Sequence, residues 1–163
     1  PGNYDHAESQ LVFMSDRRKP LYVSLKSKIG GFYGGDRNAL ETKVNYRLGD
    51  AFTAALTWSH NDIGLTSFAG DGLTPASVGD FKVNVARLRM SYSFTPKILL
   101  QALVQYDDRS DLIATNLRFS WLQAANAGLF LVYNEVDDDS IVGAMNKRRE
   151  VAIKYSRILD VLQ

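Results

Sequence analysis

His60 is the residue of this chain best suited to general-base chemistry, because the pKa of histidine lies close to neutral pH. Asp62 follows it by two positions, and Ser59 and Ser67 lie nearby as candidate nucleophiles. A serine hydrolase holds its nucleophile on a sharp turn, and no stretch of this sequence matches that turn. We therefore expect no catalytic site, with an outer-membrane hydrolase based on His60 as an alternative prediction.

Other chemistry-bearing patterns are weaker. The acidic run at 137–139 offers the oxygen ligands that Ca²⁺ prefers, but it lacks the spacing of an EF-hand loop, so we expect solvated charge. The glycines within 30–35 do not follow a strand–loop–helix arrangement, so they indicate a hairpin rather than a phosphate-binding loop. The absence of cysteine excludes disulfides and thiolate metal sites. We expect neither a metal nor a cofactor.

Overall charge and hydropathy narrow the class of partner. The 163 residues carry 19 basic and 18 acidic side chains, so electrostatics gives no reason to expect a nucleic-acid partner. No apolar run approaches the roughly 18 residues that a transmembrane helix requires. If this chain crosses a membrane, it must do so with strands.

Period-two alternation of apolar and polar residues dominates the chain and predicts an all-β protein. From residue 21 onward the sequence predicts eight strands, and the segment 9–15 is either a further strand or a tether. We therefore divide the chain into a leader or extra strand at 1–19 and a barrel domain at 20–163. The predicted strands lie at 21–29, 39–48, 52–61, 86–94, 98–107, 113–122, 128–135 and 151–156.

Tight turns alternate along the chain with longer, more polar links. The turns at 48–51, 94–97 and 123–127 are short, whereas links such as 63–80 and 137–147 are long. Outer-membrane barrels have this asymmetry, and several predicted strands have the 9–12 residues that a tilted strand needs to cross a bilayer. We predict an antiparallel up-and-down transmembrane β-barrel of about eight strands, or the C-terminal strands of a larger barrel. A soluble β-sandwich or lipocalin-like barrel is the rival fold.

The alternation assigns charged residues and aromatic residues to opposite faces. We expect a basic lumen that favours anionic solutes, with a lumen plugged by paired side chains as the alternative. The predicted lumen-facing charged residues are Lys26, Lys28, Glu41, Lys43, Arg47, Arg87, Arg89, Arg118 and Lys154. The predicted lipid-facing aromatic girdle comprises Phe52, Tyr92, Phe94, Trp121 and Tyr155 at the tight-turn ends, and Phe32, Tyr33, Phe81 and Tyr106 at the long-loop ends.

Three segments, 19–38, 87–122 and 129–135, carry a family resemblance. Their most specific pieces are Tyr-Ser-Phe-Thr-Pro at 92–96, Gln-Tyr and Thr-Asn-Leu-Arg between 105 and 118, and Val-Tyr-Asn-Glu at 132–135. Over most of 19–157 the chain resembles the C-terminal barrel of a family of large bacterial outer-membrane proteins. Those proteins carry an N-terminal domain similar to family-9 carbohydrate-binding modules. The final SRILDVLQ departs from the terminal aromatic expected of such a barrel.

The resemblance implies a location in the bacterial outer membrane and brings no catalytic residues with it. We expect a passive, porin-like pore or transport-linked scaffold whose partners are the lipid bilayer and a small anionic solute or saccharide. The first alternative is a structural or adhesive barrel with a plugged lumen that acts through its outer loops. The second is the hydrolase based on His60.

Overall fold

The computed structural model of this chain describes residues 7–32, 35–68, 75–124, 127–138 and 147–157. Among them there is no helix long and apolar enough to cross a membrane. The secondary structure consists of nine strands: β1 (Glu8–Met14), β2 (Leu21–Phe32), β3 (Gly35–Leu48), β4 (Phe52–Phe68), β5 (Pro75–Thr95), β6 (Ile98–Asp107), β7 (Leu112–Ala124), β8 (Ala127–Asp138) and β9 (Lys147–Arg157).

The strands form one antiparallel sheet in which each strand pairs with the next along the chain, in the order β1 to β9. The predicted all-β class and the up-and-down topology are thereby confirmed. Within the described residues β1 and β9 each pair on one side only, so the sheet is open. An open edge presents backbone N–H and C=O groups that a further strand can bind.

Of the two alternatives for segment 9–15, the further strand is the one observed, which makes nine described strands rather than eight. Residues 8–14 form β1, which pairs with β2 in continuous register from Glu8 opposite Gly30 to Met14 opposite Ser24. The segment SQLVFMS is short and apolar on both faces, so its alternation is weak. Pairing with an already formed neighbour supplies the hydrogen bonds that such a segment cannot specify alone.

The long loop predicted at 63–80 is largely an extension of the β4–β5 hairpin. β4 continues to Phe68 and β5 begins at Pro75, with a register shift between Leu65 and Thr66. The prediction is wrong because polar and glycine-rich residues do not end the strands here. Backbone hydrogen bonds between the two strands of a hairpin do not depend on side-chain type, so pairing can continue after the apolar alternation has ended.

The sheet is a single layer and has almost no core. Ala39 is the only buried hydrophobic residue among those described, and no large side chain there is fully buried. A soluble sheet normally covers its apolar face with a second layer. Within the described part of the chain the apolar face of this sheet has no such cover, so its large side chains remain exposed.

Candidate functional site

The register assigns every side chain of the sheet to one of two faces, because residues paired across strands point the same way. One row runs from Val44 through Leu56, Leu88 and Val104 to Thr115 and defines the apolar face. The adjacent row runs from Lys43 through Thr57, Arg87 and Gln105 and defines the polar face.

The apolar face is continuous from β1 to β9 and exposed over its whole width. Leu56, on a central strand, is 40% exposed, and Ile153, on the edge strand β9, is 69% exposed. Contiguous apolar surface on this scale is rare on soluble monomers and marks a surface that contacts something apolar. Exposed residues of this face include Leu11, Phe13, Leu25, Leu48, Leu100, Leu117 and Val151.

Charged residues are absent from a central band of this face. On β3 the band runs from Leu40 to Leu48, and on β6 it runs from Ile98 to Tyr106. Eight residue steps extend about 27 Å along a strand, and a strand tilted by about 40°, as in known membrane barrels, would cover about 20 Å of a bilayer with that length. With the reach of the terminal side chains, this height is close to the apolar band of outer-membrane barrels, about 25 Å.

Aromatic rings mark the tight-turn end of the band. Tyr46, Phe52, Tyr92 and Phe94 form a chain of ring contacts across β3, β4 and β5, with centroid separations of 6.4, 6.3 and 4.6 Å. Rings in such edge-to-face or tilted pairs are stabilised beyond their area of burial. The predicted girdle residues on the apolar face are Phe52, Tyr92, Phe94, Trp121, Tyr155 and Tyr106.

Two predicted girdle residues lie on the opposite face. Phe32 pairs with Gly35 and Phe81 pairs with Ile63, and both pairs fall on the polar side of the register. A place near the long-loop end predicts a girdle position, but each of the two is an odd number of residues from the apolar-face residues of its own strand, so its side chain points to the other face. The Arg37 guanidinium lies 5.5 Å from the Phe32 ring centroid, an arrangement that suits the polar face. Tyr33 falls outside the described residues.

Hydrogen-bonded and ion-paired groups border the apolar band at its long-loop end. His60 Nδ1 lies 2.7 Å from Asn84 Oδ1, and the Asn84 backbone N–H donates to Asp108 Oδ1 at 2.6 Å. Asp62 pairs with Lys82 at 3.2 Å. The two N–H groups of Asn84 hold the pKa of Asp108, in the β6–β7 turn, below its ordinary value. We call this edge of the apolar face the polar border.

The polar border continues on β8 and β9. Lys147 Nζ lies 2.7 Å from Glu135 Oε1 and 3.1 Å from Asp137 Oδ2, and Arg149 Nε lies 3.5 Å from Glu135 Oε1. The Tyr133 hydroxyl also donates to Glu135. Of the acidic run at 137–139, Asp137 is therefore ion-paired, and residue 139 falls outside the described residues. The described residues contain no group of acidic or histidine side chains that could hold a metal ion.

The residues of the hydrolase alternative are not brought together. His60 bonds Asn84, and Asp62 pairs with Lys82 instead of orienting the imidazole. Ser59 lies on the polar face, as its register opposite Glu41 requires, so its hydroxyl is on the other side of the sheet from the ring of His60. Of Ser67 only the backbone is described, paired with Ala76.

The polar face is predominantly basic, and all nine predicted lumen residues lie on it. Two of its lysines are paired: Lys28 with Glu8 at 3.5 Å and Lys43 with Glu41 at 2.8 Å. Among the described strands this face carries ten basic and five acidic residues. They are Lys26, Lys28, Arg37, Lys43, Arg47, Arg87, Arg89, Arg118, Arg148 and Lys154, against Glu8, Glu41, Asp107, Asp138 and Glu150.

Cavities open on the polar face. A cavity of about 390 Å³ is lined by residues of β2, β3, β4 and β5, among them Tyr22, Arg47 and Arg89. A second, of about 260 Å³, lies between Arg89 and Arg118. Ser24 and Ala39, the buried side chains of the described strands, lie on this face as well, whereas the large side chains of the apolar face are exposed, and this is the pattern expected of a sheet that curves around its polar face.

Comparison with protein-family models, with curated proteins and with solved structures finds no match to this chain. The chemistry of its two faces therefore carries the argument about function. That chemistry includes groups that sequence reasoning did not assign to a site: the hydrogen-bonded and ion-paired groups of the polar border, and Arg37. Arg37 follows the period-two pattern of β3 and was detectable, whereas the polar border needed the register, because its partners come from different strands.

Proposed function

We propose that this sheet is part of the wall of a bacterial outer-membrane β-barrel, with its apolar face in lipid and its polar face lining a porin-like passage for small anionic solutes. The observation that carries the proposal is the apolar band, which is uncharged over eight residue steps on β3 and β6, is shorter on β8 and β9, and has no covering layer among the described residues. Closed barrels satisfy all backbone hydrogen bonds between strands, as the hydrocarbon interior demands.

The rival fold, a soluble barrel, would turn the apolar face inward. The buried residues Ser24 and Ala39 lie on the polar face and the large side chains of the apolar face are exposed, which favours curvature in the opposite sense. Strands of 10–21 residues from β2 to β9 are also long beside the five or six residues typical of globular sheets. Both observations support the assignment of the apolar face to the outside.

Closure of the wall constrains the strand number. With nine consecutive antiparallel strands, β1 and β9 run in the same direction, so pairing them directly would create a parallel seam. If a second copy of the chain were inserted with the same orientation, the β9 of one copy would pair with the β1 of the other, and these two strands would also be parallel. The proposed wall therefore contains an odd number of further strands, so that the seam is antiparallel and the total is even.

The two tryptophans of the chain give a direct test of lipid contact. Trp58 and Trp121 both lie on the apolar face, the first towards the polar border and the second at the tight-turn end. In vesicles of brominated phospholipid we expect strong quenching of both single-tryptophan variants, Trp58→Phe and Trp121→Phe. The control combines both changes with Phe130→Trp, which moves the only tryptophan to the polar face. Its fluorescence should be quenched by acrylamide dissolved in the water rather than by the brominated lipid. A chain that is monomeric and soluble without detergent would overturn the lipid assignment.

Conductance tests the passage. We expect the folded protein to form channels in planar bilayers. In a KCl gradient the reversal potential should lie closer to the Nernst potential of chloride than to that of potassium, because the polar face is basic. Lipid quenching without conductance would instead support the alternative of a structural barrel with a plugged lumen. Neither reading assigns a catalytic step to His60.

A further inference from the structure

We propose that the polar face carries a binding subsite for oxyanions, formed by two adjoining cavities that share Arg89. The larger cavity is also lined by Arg17, Tyr22 and Arg47, and the smaller one by Arg118 with amide side chains. We call these two cavities together the arginine groove. Its place inside a passage rests on the proposed function, whereas its capacity to bind an anion does not.

The register explains how the three arginines are distributed along the groove, with Arg89 between the other two. Arg47 and Arg118 lie in one row of the polar face, joined through Thr53, Ser91 and Gln101 on the strands between them. Four strand spacings separate them by about 19 Å across the sheet. Arg89 lies on β5, the middle one of these five strands, two residues from Ser91 and on the same face. It therefore lines both cavities.

The groove lacks the counter-ions that other parts of the same face possess. No carboxylate lines either cavity, and within the described residues Arg47, Arg89 and Arg118 have no ion-pair partner. Lys28 and Lys43, by contrast, are paired with acidic residues of neighbouring strands or their own strand. Guanidinium groups keep their charge at every accessible pH, so like charges are gathered here without neutralisation.

The types of residue indicate the chemistry of the ligand. A guanidinium presents a planar fork of N–H donors that matches the oxygens of a carboxylate, sulfate or phosphate group. Gln101 and Asn45 add amide groups at the margins of the groove, and Arg17 packs over the Tyr22 ring at 5.3 Å. The groove therefore fits a small solute that carries at least one such oxyanion.

Inorganic phosphate is a suitable probe, with ³¹P NMR titration of the protein in a zwitterionic detergent. We expect saturable binding by the native chain, weakened about tenfold or more by Arg89→Gln, since a hydrogen bond to a charged group contributes about 1.5–3 kcal/mol. Arg89→Lys keeps the charge and loses the fork, so it should bind at an intermediate level. Lys154→Gln is the matched control, because it removes one charge from the same face outside both cavities.

The outcomes separate the groove from the passage. If Arg89→Gln and Lys154→Gln weaken phosphate binding equally, phosphate is attracted by the net charge of the face and not bound in the groove, and the proposal is overturned. If the channel is anion-selective but its phosphate binding does not depend on Arg89, the groove is overturned and the proposed function stands. Phosphate binding that depends on Arg89, without conductance, would support the groove and count against the passage. Arg118→Gln provides a second variant if Arg89→Gln does not fold.

Discussion

At the scale of single residues, the middle of the apolar band is the place where a charge should be most harmful. Leu117 lies half-way along the band on β7 and is 39% exposed. We expect Leu117→Lys to lower the free energy of unfolding by about 2–4 kcal/mol, the cost of a lysine or arginine at the bilayer midplane on the lipid face. Urea titration in lipid vesicles would measure this difference.

Ala114→Lys is the matched control, on the same strand but on the polar face. Its lysine can remain in water, so its effect should stay within about 0.5 kcal/mol, as for an ordinary surface substitution. If both variants lose the same stability, the two faces are not distinguished by lipid, and the proposed orientation is wrong.

A glycine at the start of β3 has a steric role. A Cβ added at Gly35 would lie 1.9 Å from the carbonyl oxygen of Gly64 on β4, whereas a Cβ at Gly79 would meet nothing within 4 Å. We expect Gly35→Ala to force the β3 and β4 backbones apart at a cost of about 1–3 kcal/mol, as overpacking does. Gly79→Ala should leave the unfolding midpoint unchanged, and equal midpoints for the two variants would contradict the close approach.

At the scale of elements, the Asn84–Asp108 contact attaches the β6–β7 turn to β5. Asp108 is ionised when it accepts both N–H groups of Asn84, which hold its pKa below the ordinary value. A lowered pKa in the folded state means that the contact stabilises the fold above the ordinary pKa, about 4, and that this stabilisation disappears as the pH falls through the lowered value.

We therefore expect Asp108→Asn to be less stable than the native chain near neutral pH, with the difference narrowing below about pH 4. Unfolding midpoints measured between pH 3 and pH 7 would show this, with Asp111→Asn as a control in the same turn. A difference that does not change with pH would mean that the carboxylate charge of Asp108 is not what holds the turn.

How well the elements could be predicted depends on how clearly their two faces differ. β3 follows its predicted alternation over 40–48 because charged or amide side chains alternate there with apolar side chains or threonine at every step. β1 and β8 are apolar on both faces, so β1 could not be separated from a tether and the phase of β8 needed its pairing with β7 and β9. The polar border could not be predicted at all, since Asn84 and His60 are 24 positions apart and meet only through the register.

At the scale of the whole molecule, the open edges of the sheet distinguish this chain from a self-contained barrel. β1 and β9 run parallel to each other and pair on one side only within the described residues, while β4 and β5 pair on both sides. An amide that points away from its only neighbour has no backbone acceptor and exchanges with solvent deuterium readily.

We expect hydrogen exchange of the folded chain in micelles to separate the strands by their place in the sheet. Many amides of β4 to β6 within the apolar band should remain protected, while a substantial share of those in β1 and β9 should exchange early, because one side of each edge strand is unpaired. NMR detection of the individual amides would show whether early exchange alternates along β9, as pairing with β8 alone requires. Uniform protection of β1 and β9 would mean that the nine strands close on themselves through a parallel seam, and the requirement for further strands in the wall would then be wrong.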